Sequence, residues 1–96
     1  MKLKKLEVSP VAGKKLRAVF YDDLTKRTTH TDFGASGYDD YTKTHDDAQK
    51  ERYRKRHAKD LNTGDPTRAG HLSYYILWNK PTIAASVRDY KSRFNM

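Results

Sequence analysis

The sequence KKLRAVFYDDLTKRTTHTDFG, residues 14–34, decides the fold. Side chains alternate along residues 14–21 with the period of a β-strand, which places Leu16, Ala18 and Phe20 on one face. An apolar face of this kind is typical of a strand that is covered on one side. Because two strands alone are only marginally stable in water, we expect this face to pack on other elements.

Neighbouring stretches extend this strand into a sheet. Residues 22–25 favour a turn, and the threonine-rich residues 28–33 can return as a second strand. Residues 3–8 can add a third strand, because Ser9-Pro10 follows as a break. We therefore predict an α+β fold in which an amino-terminal β-hairpin or three-stranded antiparallel sheet is followed by three helices.

The first helix is predicted over residues 46–61. Asp46 can cap it, with Gln49 in the third position of a capping box. Its apolar seam is narrow, with one residue per turn: Tyr53, His57 and Leu61. We expect this seam to face the core, with His57 hydrogen-bonded there, because only an apolar stripe can anchor so charged a helix.

Two more helices are predicted nearer the carboxyl end. Asp65-Pro66 is a start signal for a helix over residues 66–78, in which Gly70 is expected to serve close packing. The last helix starts at Pro81 or Thr82 and carries an amphipathic stripe. That stripe consists of Ile83, Val87, Tyr90 and Phe94. Trp78 is expected to be buried where these two helices meet.

Residues 34–47 are predicted to form a loop. Gly34 and Gly37 permit backbone conformations that other residues avoid, and the Asp and Ser residues favour local turns. Tyr38 and Tyr41 are expected to anchor the loop. The same two tyrosines, with Tyr74, are candidates for stacking on nucleic-acid bases, although tyrosines that fill the edge of the core would give the same pattern.

Composition narrows the class of protein. The 96 residues fit a single small basic domain, 1–96, whose first segment, 1–12, can be partly flexible. A net charge of +8 favours polyanions as partners, and nucleic acid is the commonest of these. The longest apolar run is too short to span a membrane, so we expect no membrane partner and a soluble, intracellular location. The chain has no cysteine, and no cofactor is predicted.

The predicted first helix is the strongest functional signal. Between Lys50 and Lys59 it has six lysines or arginines against one glutamate. Arginine pairs with phosphate through two parallel hydrogen bonds, and each neutralised phosphate releases counterions. The predicted phosphate-binding residues are Lys50, Arg52, Arg54, Lys55, Arg56 and Lys59, with Lys50, Arg54 and Lys55 facing solvent. A solvated charged face remains the alternative.

Two weaker signals accompany the helix. Lys2, Lys4 and Lys5 can form a basic arm that reaches a phosphate backbone, or a tail that only aids solubility. A cluster of acidic residues and a histidine could supply ligands for a divalent metal, but capping and turn roles explain the same residues. That cluster comprises Asp39, Asp40, His45, Asp46 and Asp47.

Several blocks in residues 33–94 resemble a known family. They are FGASGYDDYT, HDD followed by a basic helix ending in RH, DPTRAG, ILWNKPT and a closing RF. This arrangement resembles an uncharacterised family of short basic proteins encoded by large double-stranded DNA viruses of algae and protists. The resemblance implies a viral or virus-like source, with a location in the virion or in the host nucleus or cytoplasm. It implies no catalytic residue.

We therefore expect a non-enzymatic protein that binds nucleic acid, DNA before RNA, through phosphate contacts. Phosphate contacts give affinity without reading sequence. One alternative is a structural protein of a virion or similar assembly that binds acidic protein partners, including viral structural proteins. A second alternative is a small metal-dependent nuclease.

Overall fold

The computed structural model describes residues 1–96 and shows the α+β fold. Three strands, β1 (Lys2–Val8), β2 (Lys14–Asp22) and β3 (Arg27–Ala35), form one antiparallel sheet in the order β1-β2-β3. The sequence was compatible with either a β-hairpin or a three-stranded sheet, and the structure has the three-stranded sheet. Lys26 adopts a left-handed conformation in the turn between β2 and β3.

The register of the sheet places apolar residues on one face. Leu16 pairs with Phe33, and Phe20 pairs with Leu3 across the other edge of β2. Ala18 and Phe20 are buried with Leu3 and Phe33, as the alternation of β2 predicts, whereas Leu16 is half-buried and Val19, expected on the other face, is also buried. This face is the floor of the core, on which the helices pack.

The amino-terminal lysines lie in a strand of the sheet. Lys2, Lys4 and Lys5 lie in β1, whose backbone is paired with β2. Leu3 is 3% exposed, and its burial beside Phe20 fixes the strand. Residues 2–8 therefore belong to the sheet, because Leu3 between the lysines has a place in the core, and the partial flexibility of residues 1–12 stays a prediction.

The predicted loop at residues 34–47 contains one turn of helix, α1 (Tyr41–Thr44). Asp40 caps it by accepting a hydrogen bond from the backbone N–H of Thr42, 2.9 Å away. Tyr41 is buried and anchors this segment, as expected, whereas Tyr38 is 72% exposed and anchors nothing. The aspartate hydrogen bond that was expected to stabilise a turn therefore caps a short helix here.

The three predicted helices are present with changed bounds. The first is α2 (Asp47–His57), continued by a 3₁₀ segment (Ala58–Thr63). The second is α3 (Ala69–Leu72), continued by a π-helical segment (Ser73–Leu77). The third is α4 (Ile83–Phe94), which Thr82 caps. The last helix matches its prediction closely.

The second helix begins three residues later than predicted. Asp65 accepts hydrogen bonds from the N–H and hydroxyl of Thr67, so Asp65-Pro66 forms a turn rather than the first helical turn. Gly70 then lies against Asp60, and a Cβ on Gly70 would come within 2.8 Å of the Asp60 Cβ. This contact confirms that Gly70 serves close packing.

Tyr90 of α4 ties the helices to the sheet. Its side chain is fully buried, and its hydroxyl donates a 2.7 Å hydrogen bond to the carbonyl oxygen of Pro66. Val87 and Phe94 pack on the same core, whereas Ile83 is 38% exposed. The predicted stripe is therefore confirmed except at its first position, where the helix begins at the surface. No helix is long and apolar enough to cross a membrane.

Trp78 is buried, with 8% of its surface exposed. We expect Trp78→Ala to lower the free energy of unfolding by about 3–5 kcal/mol, since it leaves a large cavity. Urea denaturation followed by circular dichroism measures this free energy. Tryptophan fluorescence cannot be used, because Trp78 is the only tryptophan and the variant lacks it. Tyr38→Ala, at an exposed position, is the control and should change stability by less than about 0.5 kcal/mol. Equal stability of the two variants would contradict the assigned role of Trp78.

Candidate functional site

The start of α2 is fixed by two aspartates. The Asp46 carboxylate accepts a hydrogen bond from the N–H of Gln49 at 3.1 Å, which is the predicted cap. Asp47 accepts one from the hydroxyl of Tyr41 at 2.6 Å, which raises the pKa of that phenol. These bonds join α2 to α1 and set the direction in which the basic helix leaves the core.

An aromatic column holds α2 against the rest of the protein. The ring of Tyr53 stacks on His57 at 4.2 Å between centroids and on Trp78 at 4.4 Å. Burial of Tyr53 raises the pKa of its phenol. The predicted seam is therefore confirmed at Tyr53, whereas Leu61 lies in the 3₁₀ segment, half-buried and outside the core cluster. His57 is half-exposed at the open end of the column, with its Nδ1 2.9 Å from the Asp60 carboxylate, so it is hydrogen-bonded as expected but lies at the core's edge.

Arg54 does not face solvent, and that prediction is wrong. Its Nη1 donates a 2.7 Å hydrogen bond to the backbone carbonyl oxygen of Trp78. Its guanidinium carbon lies 4.1 Å from the centroid of the Tyr74 ring, which is a cation–π contact. Arg54 therefore fastens α2 beside the aromatic column, and it also covers Tyr74, one of the tyrosines proposed for base stacking.

Lys50 is half-buried, which also departs from the prediction. Its ammonium lies 4.7 Å from the centroid of the Tyr41 ring. Partial burial, with the nearby positive charge of Arg54, lowers the pKa of Lys50. Lys50 and Arg54 thus help to attach the helix, and they are less available to a partner than the sequence suggested.

Four cations of this segment remain on the surface. Arg52, Lys55, Arg56 and Lys59 are exposed, and we call them the basic quartet. None of them forms a salt bridge or a side-chain hydrogen bond; other cations such as Arg27 and Arg88 are also unpaired, but these four lie within eight consecutive residues. The quartet is a patch of positive charge without internal compensation.

The amino-terminal lysines differ from the quartet. Lys2 lies 4.0 Å from Asp23, and Lys5 lies 3.6 Å from Glu7, so part of their charge is balanced within the protein. Lys4 has no such partner. All three lie on β1, and no residue of β1 lines the cavities beside α2. The structure therefore does not bring them together with the quartet into one site.

A cleft of about 620 Å³ opens beside the quartet. That volume lies within the ~300–1,000 Å³ of small-molecule sites. One part of its lining is the aromatic column with Arg56, and a second part, which we call the second wall, is the segment 34–40 together with Lys15. Tyr38 lies on this second wall and is 72% exposed, which leaves it as the free tyrosine of those proposed for stacking.

Two residues of this second wall, Lys15 and Asp40, form an ion pair. Lys15 donates a 2.7 Å hydrogen bond to the carboxylate of Asp40, which is 2% exposed. Burial disfavours the charged form of Asp40, but the hydrogen bonds from Lys15 and Thr42 outweigh it and hold the pKa of Asp40 below its ordinary value. The pair fixes the start of α1 to β2.

The acidic residues considered as metal ligands have other roles. Asp40 and Asp46 cap helices, and Asp47 accepts the Tyr41 hydroxyl. No group of three or more His, Asp or Glu side chains is arranged to hold a metal ion. Capping and hydrogen bonding thus account for Asp40, Asp46 and Asp47, whereas Asp39 makes no side-chain contact of this kind.

Sequence reasoning missed the cleft. Its walls come from residues 34–40, 53–57 and 73–78, which no local pattern connects. One signal was present, since Gly34 has a positive φ and a Cβ there would lie 2.8 Å from Leu77 Cδ1. A glycine at the end of a strand indicates a bulge or a close approach of another segment.

A family model matches residues 4–57, which is more than half of the chain. The chain belongs to this family, described as a family of unknown function (DUF5754). The matched segment runs from β1 to the end of α2 and includes all of the quartet except Lys59. No curated protein and no solved structure matches the chain. The ILWNKPT block lies outside the matched segment, and its resemblance to viral proteins stays a prediction.

We expect Arg54→Gln to lower the free energy of unfolding by about 1–3 kcal/mol, because it removes a charged hydrogen-bond donor from the carbonyl of Trp78. Lys55→Gln, the neighbouring change on the exposed face, removes the same charge and should alter stability by less than about 0.5 kcal/mol. Urea titration of both variants compares them. Equal destabilisation by the two changes would show that Arg54 has no anchoring role.

We expect Asp40→Asn to destabilise the protein by about 3 kcal/mol at neutral pH, since it leaves Lys15 without its buried partner. The pKa of Asp40 is lowered in the folded state, so its contribution is present above the ordinary carboxyl range and is lost as pH falls through it. The stability gap to wild type should therefore narrow below about pH 4. The exposed neighbour substitution Asp39→Asn is the control. Thermal melts over a pH series test this, and a gap that does not depend on pH would refute it.

Proposed function

We propose that this protein binds nucleic acid without catalysis, through the phosphate backbone, with duplex DNA as the first candidate. The observation that supports this is the basic quartet, four exposed cations with no acidic partner in the protein. A solvated charged helix normally gains from acidic partners one turn away, and Glu51 forms no ion pair here. An external anion would supply the missing compensation.

Electrostatics favour a polyanion as that external partner. The chain carries a net charge of +8, and its field raises the association rate with negatively charged polymers. Arg52 and Arg56 can each form two hydrogen bonds with one phosphate, while Lys55 and Lys59 act as point charges. Each phosphate that they neutralise releases counterions, which makes binding depend steeply on salt.

The proposal does not include sequence-specific recognition. Phosphate contacts fix position and affinity but carry no base information. Lys2, Lys4 and Lys5 on β1 are secondary contacts for a long duplex. Lys50 and Arg54 belong to the helix that presents the quartet, and they act mainly by holding it in place. A viral or virus-like setting, in the virion or in the host nucleus or cytoplasm, is part of the same proposal.

The alternative of an assembly protein uses the same surface. An acidic protein partner would also meet the quartet, and that association would also weaken with salt. The exposed Tyr38 beside the quartet favours nucleic acid, because aromatic platforms with cations are the usual combination for strands with accessible bases.

The test removes two members of the quartet that do not touch the core. We expect the double variant Lys55→Gln/Lys59→Gln to bind a labelled duplex more weakly, and about equally so for different sequences. The slope of log affinity against log salt should become shallower by about 0.9 for each phosphate that the variant no longer neutralises. Fluorescence anisotropy over a salt series gives both quantities.

The matched control is Arg88→Gln/Lys91→Gln. It removes two exposed cations from α4 and lowers the net charge equally. Its salt slope should stay that of wild type. Equal effects of the two pairs would mean that net charge alone drives binding. Absence of binding to duplex, single strand and RNA at low salt would refute the proposal and favour the assembly role, and cleavage of the probe with Mg²⁺ would favour the nuclease.

A further inference from the structure

The cleft beside α2 has a chemical character that phosphate binding does not use. Its inner wall is the stacked column of Tyr53, His57 and Trp78, whose outermost ring, His57, is half-exposed. Tyr38, on the second wall of the same cleft, is 72% exposed and makes no side-chain hydrogen bond. Planar aromatic groups therefore flank a space of about 620 Å³ that is open to solvent.

We propose that this cleft receives one unpaired base of a bound strand, whose phosphates lie along the basic quartet. This inference rests on the proposed function and adds a substrate class to it, a nucleic acid with at least one unstacked base. Every nucleobase has a flat apolar face that stacks on tyrosine or histidine, so the site tolerates different bases.

Charge within the cleft fits a neutral base. Lys15 and Asp40 neutralise each other at 2.7 Å, and the exposed Asp39 and Arg56, which form no ion pair with each other, add one charge of each sign to the lining. The cleft therefore has no large excess of either charge, while the excess positive charge lies outside it on α2. A charged phosphate is favoured on the quartet, and a neutral ring is favoured between the walls.

Arg56 belongs to both surfaces. It is a member of the quartet and also lines the cleft. A phosphate held by Arg56 would place the attached base at the mouth of the cleft. Asp39 and Gln49 at the edge can accept hydrogen bonds from the exocyclic amine of a base.

The orientation of His57 is also fixed. Its Nδ1 lies 2.9 Å from the Asp60 carboxylate, which holds the imidazole nearly parallel to Tyr53. The ring is positioned by its contacts within the protein, so a base that stacks on it orders no additional side chain. Pre-ordered contact groups of this kind reduce the entropy cost of binding.

The test separates bases from phosphates. Two labelled single strands of about 12 nucleotides, one with bases and one with abasic sugars throughout, present the same backbone to the protein. We expect wild type to bind the strand with bases about 5- to 100-fold more tightly, as one stacked base implies. Tyr38→Ala should lose most of that preference and bind the abasic strand as wild type does, and Tyr38→Phe should keep it.

Trp78 gives an independent signal. It is the only tryptophan and lies against the cleft wall, so a base in the cleft should quench its fluorescence, and the abasic strand should not. If the quartet variant binds more weakly than wild type but wild type shows no preference for the strand with bases, the cleft does not receive a base. The proposed function would then still hold. Wild type that binds neither strand nor duplex would overturn both. Tyr38→Ala with an undiminished preference for bases would also overturn the inference.

Discussion

The stacking of Tyr53 on Trp78 is the interaction on which the position of the basic helix depends. At 4.4 Å between centroids and 10° between planes, it joins the middle of α2 to the segment that leads into α4. The rest of α2 offers little apolar surface, because its seam has one residue per turn and no residue of the helix is buried. Arg54 adds a hydrogen bond to the carbonyl of the same Trp78. One tryptophan therefore supports the helix through its ring and through its backbone.

This arrangement allows α2 to carry charge that would destabilise a helix held only by its own sequence. Like charges one turn apart repel, and Arg52 and Arg56 stand at that spacing. The helix dipole offsets part of the repulsion, since Arg54, Lys55 and Arg56 occupy the last turn, where the dipole is negative, and Asp47 occupies the first. The contacts of Tyr53, Arg54 and Lys50 with the rest of the protein, which form the tertiary anchor of α2, supply the remaining stabilisation. Because the anchor uses Arg54 and Lys50, the exposed cations are left free of internal partners.

The sequence predicted the elements that local chemistry decides. The alternation of β2, the cap of α2 at Asp46 and the stripe of α4 are each encoded within a few residues, and the structure has all three. Arg54 could not be placed in this way. On a helix with one apolar residue per turn, the sequence of the helix does not show which of the cations beside the seam contacts another part of the protein. Here that is Tyr74 and the carbonyl of Trp78, more than a dozen residues further along the chain.

The π-helical segment and the cleft were beyond prediction for the same reason. The π-helical segment continues α3, in which Gly70 lies against the distant Asp60, and the cleft exists because segments distant in sequence leave a space between them. The family match also separates two parts of the candidate site. The matched residues 4–57 contain the sheet, the segment 34–40 and α2 with Tyr53 and His57, whereas Trp78 and the rest of its segment lie beyond them. Three of the four quartet residues and one wall of the cleft thus come from the matched part of the chain. The remainder supplies Lys59 and the apolar support that gives the charged face its position, so the candidate site also depends on uncharged residues outside the matched segment.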